Sequence, residues 1–247
     1  MFIDEGICPY DETIVSVDPS GRGSDETVAT VLSQANGYVF VRDMKAFKDG
    51  YSDETLSAII RMGKRTGATR LLIESNFGDG MICELFKRHV IQMQAGMDIQ
   101  EVRATVRKEE RIIQTLEPIM QQHKLIIDPK VFEYDYKSNP DEPPEKRFEY
   151  MLMYQMSRMC REKGAVKHDD RVDCLSQGVQ YFVDALAQSA HRQQAMRKHE
   201  EWEAMASAFE NAPQLAIDAL VLGKSFKTVP GATYNTSKVY DWTEGTL

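Results

Sequence analysis

The chain has 247 residues, 42% of them hydrophobic and 28% charged, with only 15 Gly and 9 Pro; it can bury a sizeable core and is neither collagen-like nor low-complexity. Thirty Lys and Arg stand against 38 Asp and Glu, a net charge of −8, so nucleic acid can be met only through a local basic patch. The longest apolar runs, such as Leu71-Leu72-Ile73, fall far short of a membrane span, and the acidic start Met1-Phe2-Ile3-Asp4-Glu5 has no signal-peptide pattern. The expectation is a soluble, cytoplasmic chain.

Residues Thr13 to Val17 are β-branched and apolar and stop at Asp18-Pro19-Ser20-Gly21, a strand ending in a turn. Thr27–Leu32 and Tyr38–Met44 are two more strand-like runs, with the hairpin signal Asn36-Gly37 between them. The period then changes. Ser52 is an N-cap, Asp53 and Glu54 suit a first turn, Leu56, Ile59, Ile60 and Gly63 recur at helical spacing, and Gly67 ends the helix. Arg70 to Ser75 reads as a buried strand, Met81–Met93 as a helix, Ile99–Thr105 as a strand and Lys108–His123 as a helix. Leu125-Ile126-Ile127 is either a short strand or an apolar anchor. The proline-rich Tyr136–Lys146 reads as a loop, Phe148–Cys160 as a Met-rich helix closed by Gly164. A last long helix starts near His168-Asp169-Asp170 and turns Val172, Leu175, Val179, Phe182, Val183 and Leu186 inward. Residues 1–187 are thus expected to form one domain and 188–247 a helical and irregular tail.

Hairpin strands followed by alternating helix and strand describe an α/β fold, a mixed central β-sheet flanked by helices. The order, closing on a long helix, is that of a ribonuclease-H-like fold of the resolvase and integrase type. Three acids stand at element ends: Asp18 ends the first strand, Glu74 the fourth, and Asp170 opens the last helix with Asp173 three residues on. If the first and fourth strands are neighbours, Asp18 and Glu74 emerge side by side, and the helix can add Asp170 and, on the same face, Asp173. Clustered carboxylates repel unless hard cations neutralise them, and oxygen ligands suit Mg²⁺ or Mn²⁺. Two such ions serve phosphodiester hydrolysis. For any one of these acids alone, capping a turn or a helix is the commoner role. Spacing by itself does not make a nuclease.

Other features weigh less. Cys8, Cys83, Cys160 and Cys174 show no CxxC pair, so neither a zinc site nor a disulfide framework is expected. Basic residues recur at Arg61–Arg70, Arg103–Arg111 and Arg158–Arg171, where a solvated helix face is the usual meaning. Lys163, Lys167 and Arg171 border the HDD triplet and are the first choice for guiding phosphate; Arg103 and Arg107 are the second. His168 is equally a metal ligand, a phosphate contact or a helix-start residue.

The segments SVDPSGRGSDET (16–27), LLIESNFGDGM (71–81) and KGAVKHDDRVDCL (163–175) resemble the C-terminal nuclease domain of the large terminase subunit of tailed phages, the short-tailed branch above all. GYSDETL (50–56), QTLEPIMQ (114–121) and YQMSRMCREKGA (154–165) fit the same branch. The resemblance runs from about Thr13 to Leu186. It implies an endonuclease that cuts concatemeric viral DNA during packaging in the host-cell cytoplasm, using two divalent cations, Mg²⁺ or Mn²⁺. It makes Asp18, Glu74 and Asp170 catalytic ligands, with Asp173 a further metal ligand and Asp25, Asp79, His168 and Asp169 supporting candidates. The implied partners are double-stranded DNA, an N-terminal packaging ATPase domain, the portal and the small terminase subunit, and no membrane. The sequence departs from the whole subunit in one respect: no GxxxxGK[ST] phosphate loop occurs. The isolated nuclease half is therefore the expectation. A junction-resolvase or transposase-like nuclease, and an inactive docking module for the portal whose acids are only caps, stand as alternatives.

Overall fold

Three β-branched runs make the strands β1 (Glu12–Asp18), β2 (Thr27–Ala35) and β3 (Tyr38–Phe47). Asn36 and Gly37 both take positive φ, 52° and 78°, which gives the tight turn that matches strand twist and sets the β2–β3 register. The computed structural model describes residues 9–20, 25–74, 80–103, 106–211, 226–229 and 232–234. Helix α1 (Asp53–Thr66) begins as its sequence dictates: the Ser52 hydroxyl accepts the Thr55 N–H at 3.2 Å, and Gly67 closes it at φ 72°. Then follow β4 (Arg70–Glu74), α2 (Met81–Gln92), β5 (Asp98–Val102), α3 (Lys108–Gln121) and β6 (Leu125–Ile127).

The six strands form one mixed sheet in the order β5-β4-β1-β2-β3-β6. β1, β2 and β3 are antiparallel neighbours, whereas β1–β4, β4–β5 and β3–β6 run parallel. The mixed α/β architecture expected from the sequence is therefore present. Because β1 and β4 are parallel partners, with Val17 opposite Ile73, their C-terminal residues Asp18 and Glu74 leave the sheet at the same edge.

Alternation along each strand feeds two cores. Val15, Val17, Ala29, Val31, Leu71 and Ile73 pack against α1 and α2. Ile14, Val28, Leu32, Val41 and Leu72 face the other side with Ile112, Leu116 and Ile119 of α3. That second side is closed by α4 (Pro129–Lys137), α6 (Leu152–Arg158) and the N-terminal part of α7 (Asp170–Asn211), with a helical turn α5 (Pro144–Arg147) between α4 and α6 in the chain. Val172, Leu175, Val179 and Phe182 of α7 are fully buried there, each worth about 1.5–3 kcal/mol. Gly178 lets α7 lie directly on the strands: a Cβ at this position would stand 2.4 Å from Leu32 Cδ1 and 3.1 Å from Ser16 Cβ.

Several expectations are corrected. Val183 is exposed and Leu186 half-buried, because α7 turns them away from the sheet. The expected helix over 148–160 is broken at Met151, which is extended; a short 3₁₀ turn, Phe148–Tyr150, precedes it and α6 follows. The break has a cause: Asp135 caps α6, accepting the Leu152 and Met153 N–H groups at 2.7 and 3.1 Å. Gly164 lies beyond the end of α6 and caps nothing there. Residues 129–137, partly assigned to a loop, are a helix with Asp128 as N-cap and Pro129 in its first turn. The last helix continues to Asn211. The chain divides into two compact units, Met1–Leu186 and Ala187–Leu247. In the second, Phe226–Val229 (β7) and Ala232–Tyr234 (β8) pair as an antiparallel ribbon.

Candidate metal centre

Rigid elements deliver three carboxylates to one point. Asp18 ends β1, Glu74 ends β4, and Asp173 lies in the first turn of α7; one ligand oxygen from each lies within 4.8 Å of the others. Glu74 and Asp173 are 7% and 2% exposed. Burial, and then the charges of Asp173 and Glu74, push the Asp18 carboxyl well above its ordinary range. Two cations of α3 face the group. Lys108 Nζ is 2.8 Å from Asp169 Oδ1 and 3.1 Å from Asp173 Oδ2, and an Arg111 guanidinium nitrogen is 2.7 Å from Asp173 Oδ1 and 3.8 Å from Glu74 Oε1. Burial alone would lower the Lys108 pKa, but Asp173 and Asp169 outweigh it and hold the ammonium charged.

These residues fit a hard divalent cation. The donors are all carboxylate oxygens, and the carboxylate at their centre resists ionising in the protein alone, so a bound cation relieves a charge imbalance already built into the fold.

Asp170 does not join this group. Its Oδ2 accepts the Glu26 backbone N–H at 3.1 Å, and its ligand atoms gather with those of Asp25 and His168. Burial raises its carboxyl to about 6, against the opposing hydrogen bond from Glu26. His168 is buried and stacks on Tyr150 with ring centroids 4.1 Å apart, Asp25 is exposed, and Asp169 holds Lys108. Asp79 lies outside the described residues.

The basic candidates separate sharply. Lys163 and Arg107 are exposed, as are Lys167, paired with Glu149 at 2.9 Å, and Arg103, paired with Glu101 at 3.0 Å. Arg171 must be withdrawn as a DNA contact. Its side chain is wholly buried, with Nε and Nη2 on the two Glu26 oxygens at 3.0 and 3.1 Å and Nη1 on Asp135 and Ser138 at 2.8 Å each. Lys108 and Arg111 were missed as site residues. Their signal was an i,i+3 basic pair opening the helix after β5, and it becomes readable only once β5 is known to end at the acidic edge.

Residues 17–125 match the model of the ribonuclease-H-like domain of bacteriophage T7 terminase. The chain is also 39% identical over 186 residues to the terminase large subunit of Enterobacteria phage T3, across 75% of this chain and 32% of that protein. Residues 17–125 of this chain carry a terminase ribonuclease-H-like domain. The chain spans about a third of the T3 terminase subunit. Among solved structures, the human cytomegalovirus terminase nuclease domain, Mn-soaked and inhibitor-bound, is similar at 13% identity and TM-score 0.46, covering 69% of this chain and 84% of that one. A mutant nuclease domain of the large terminase subunit of bacterial virus Sf6, with manganese and β-thujaplicinol, is similar at 9% identity and TM-score 0.47, covering 69% and 88%. No described helix of this terminase domain is long and apolar enough to cross a membrane.

Proposed function

We propose that this chain is an endodeoxyribonuclease that cuts concatemeric viral DNA during genome packaging. One observation carries the proposal: Asp18, Glu74 and Asp173 converge on one sheet edge in a terminase ribonuclease-H-like domain. Asp18, Glu74 and Asp173 hold divalent cations, Mg²⁺ or Mn²⁺, and Asp173 takes the role that the resemblance gave to Asp170. Two such ions, when bound, supply an activated water and stabilise the leaving 3′ oxygen. No protein nucleophile is needed. Arg111 holds the Asp173 carboxylate in orientation, and Lys108, clamped by Asp169 and Asp173, adds positive charge beside the scissile phosphate. Exposed Lys163, Lys167, Arg103 and Arg107 contact the backbone of double-stranded DNA without reading sequence.

The nuclease occupies residues 1–187, and residues 188–247 form an appendage that docks the packaging machine. An N-terminal packaging ATPase domain, the portal and the small terminase subunit are the partners in the host-cell cytoplasm. The test is conversion of supercoiled plasmid by the purified chain with Mn²⁺, Mg²⁺ or chelator, beside Asp18→Ala. Metal-dependent nicked and linear products, lost in the variant, support the proposal. Cleavage that survives Asp18→Ala refutes this site. Absence of cleavage with either metal favours a docking module, and preference for branched over linear DNA a resolvase-like enzyme.

A further inference from the structure

We propose that the recess between α1 and β3, on the face of the sheet opposite α7, docks an acidic segment of a partner protein that carries an apolar anchor residue. The recess encloses about 550 Å³ and is lined by Lys45 of β3 and by Ala58, Arg61, Met62, Lys64 and Arg65 of α1. That volume suits a few side chains of a peptide. Its origin lies in the sequence. Ala58, Arg61, Met62 and Arg65 recur at helical spacing along one stripe of α1, while the buried stripe of that helix packs on β1, β2 and β4. β3 lies beyond that cover, so Lys45 stays only half-buried.

Charge selects the sign of the ligand. Four cations line the recess, and one of them, Arg65, is answered by Asp43. Lys64 donates to the Met93 carbonyl oxygen at 3.1 Å, a bond that leaves its charge uncompensated. The Lys45 ammonium and the Arg61 guanidinium have no partner among the described residues. In a chain of net charge −8 this is a local surplus of positive charge, open to an anion. The walls are set beforehand. Arg65 bonds to Asp43, and Arg42 donates to the Thr66 carbonyl oxygen at 3.3 Å, each tying the end of α1 to β3.

The floor selects the kind of anion. Ala58 and Met62 offer apolar surface that a phosphate backbone cannot use, because DNA is held by side chains that project onto its phosphates or into its grooves. A peptide can place one apolar side chain on that floor and flanking carboxylates against Lys45 and Arg61. The position agrees. Asp173 reaches the metal centre from α7, on the other face of the sheet, so a partner seated on α1 leaves the cleavage edge open. This surface does not require the nuclease proposal.

The experiment is fluorescence anisotropy on the full chain in chelator, with three labelled probes: a random Glu–Tyr copolymer, poly-glutamate and a short DNA duplex. Lys45→Glu/Arg61→Glu is compared with wild type and with Lys124→Glu/Lys146→Glu, which makes the same change in net charge at exposed positions outside the recess. Wild type is expected to bind the copolymer about tenfold more tightly than poly-glutamate. Lys45→Glu/Arg61→Glu should weaken copolymer binding by about tenfold, whereas the control keeps it, and duplex affinity should change no more than in the control. The proposal is overturned by no copolymer binding in wild type, by no preference for it over poly-glutamate, or by an equal loss in the control. A matching loss of duplex affinity confined to Lys45→Glu/Arg61→Glu overturns it in favour of a DNA surface. If that double variant fails to fold, Arg61→Glu decides, because Arg61 is exposed and its reversal alone should weaken copolymer binding about threefold.

Discussion

The first turn of α7 carries two buried charge systems two residues apart, and they are built to opposite rules. Around Arg171 the charges are matched. Glu26 accepts from Arg171 and Asn139, and Asp135 accepts from Arg171 and from two backbone N–H groups that begin α6. Around Asp173 three carboxylates crowd together, and burial with mutual repulsion holds Asp18 well above its ordinary range even beside Lys108 and Arg111. The difference separates scaffold from site. A satisfied network fixes the helix in place, while an unsatisfied one stores a demand for cations at the position the scaffold defines.

The largest expected effect breaks the scaffold. Arg171→Ala leaves Glu26 and Asp135 buried without their partner and should cost about 3–5 kcal/mol in urea denaturation. Asp18→Asn should do the reverse, leaving metal-free stability equal or higher while cleavage falls about 100-fold or more. If both substitutions destabilise equally, the contrast between the two systems is lost. Gly178→Ala tests how α7 is seated: the new methyl meets Leu32 and should cost about 1–3 kcal/mol, with metal binding weakened alongside.

Proton linkage sharpens the comparison further. The folded chain keeps a proton on Asp170 up to about pH 6, whereas an unfolded Asp releases it near ~4. The folded state binds more protons across that window, so chelator-treated protein should lose stability as pH rises through it. Asp170→Asn should flatten this contribution in melts from pH 4 to 6. The smallest effect belongs to exposed Lys167. Its solvent-screened pair with Glu149 adds little to stability, but Lys167→Ala should lower the salt slope of DNA binding by about 1.

Local signals carried much of the fold. The Asn36-Gly37 hairpin, the Ser52 cap and the Gly67 stop are chemical necessities of neighbouring residues, and so could be read directly. Asp18 and Glu74 were legible because strand ends are rigid, yet their meeting depends on β1 and β4 pairing in parallel, which no local pattern encodes. Arg171 was misread because its partners Glu26 and Asp135 lie 145 and 36 residues away in sequence. The break at Met151 has the same origin, since Asp135 imposes it from another helix. The choice between Asp170 and Asp173 turns on how α7 is rotated about its axis, and that rotation is set by packing at Gly178 and the Arg171 network.

The most direct test of the central claim compares Asp173→Asn with Asp170→Asn in plasmid cleavage under saturating Mn²⁺. Asp173, not Asp170, groups with Asp18 and Glu74 in the proposed nuclease centre, so Asp173→Asn should abolish turnover while Asp170→Asn leaves much of it. Loss of turnover in Asp170→Asn with near-normal turnover in Asp173→Asn would contradict the claim.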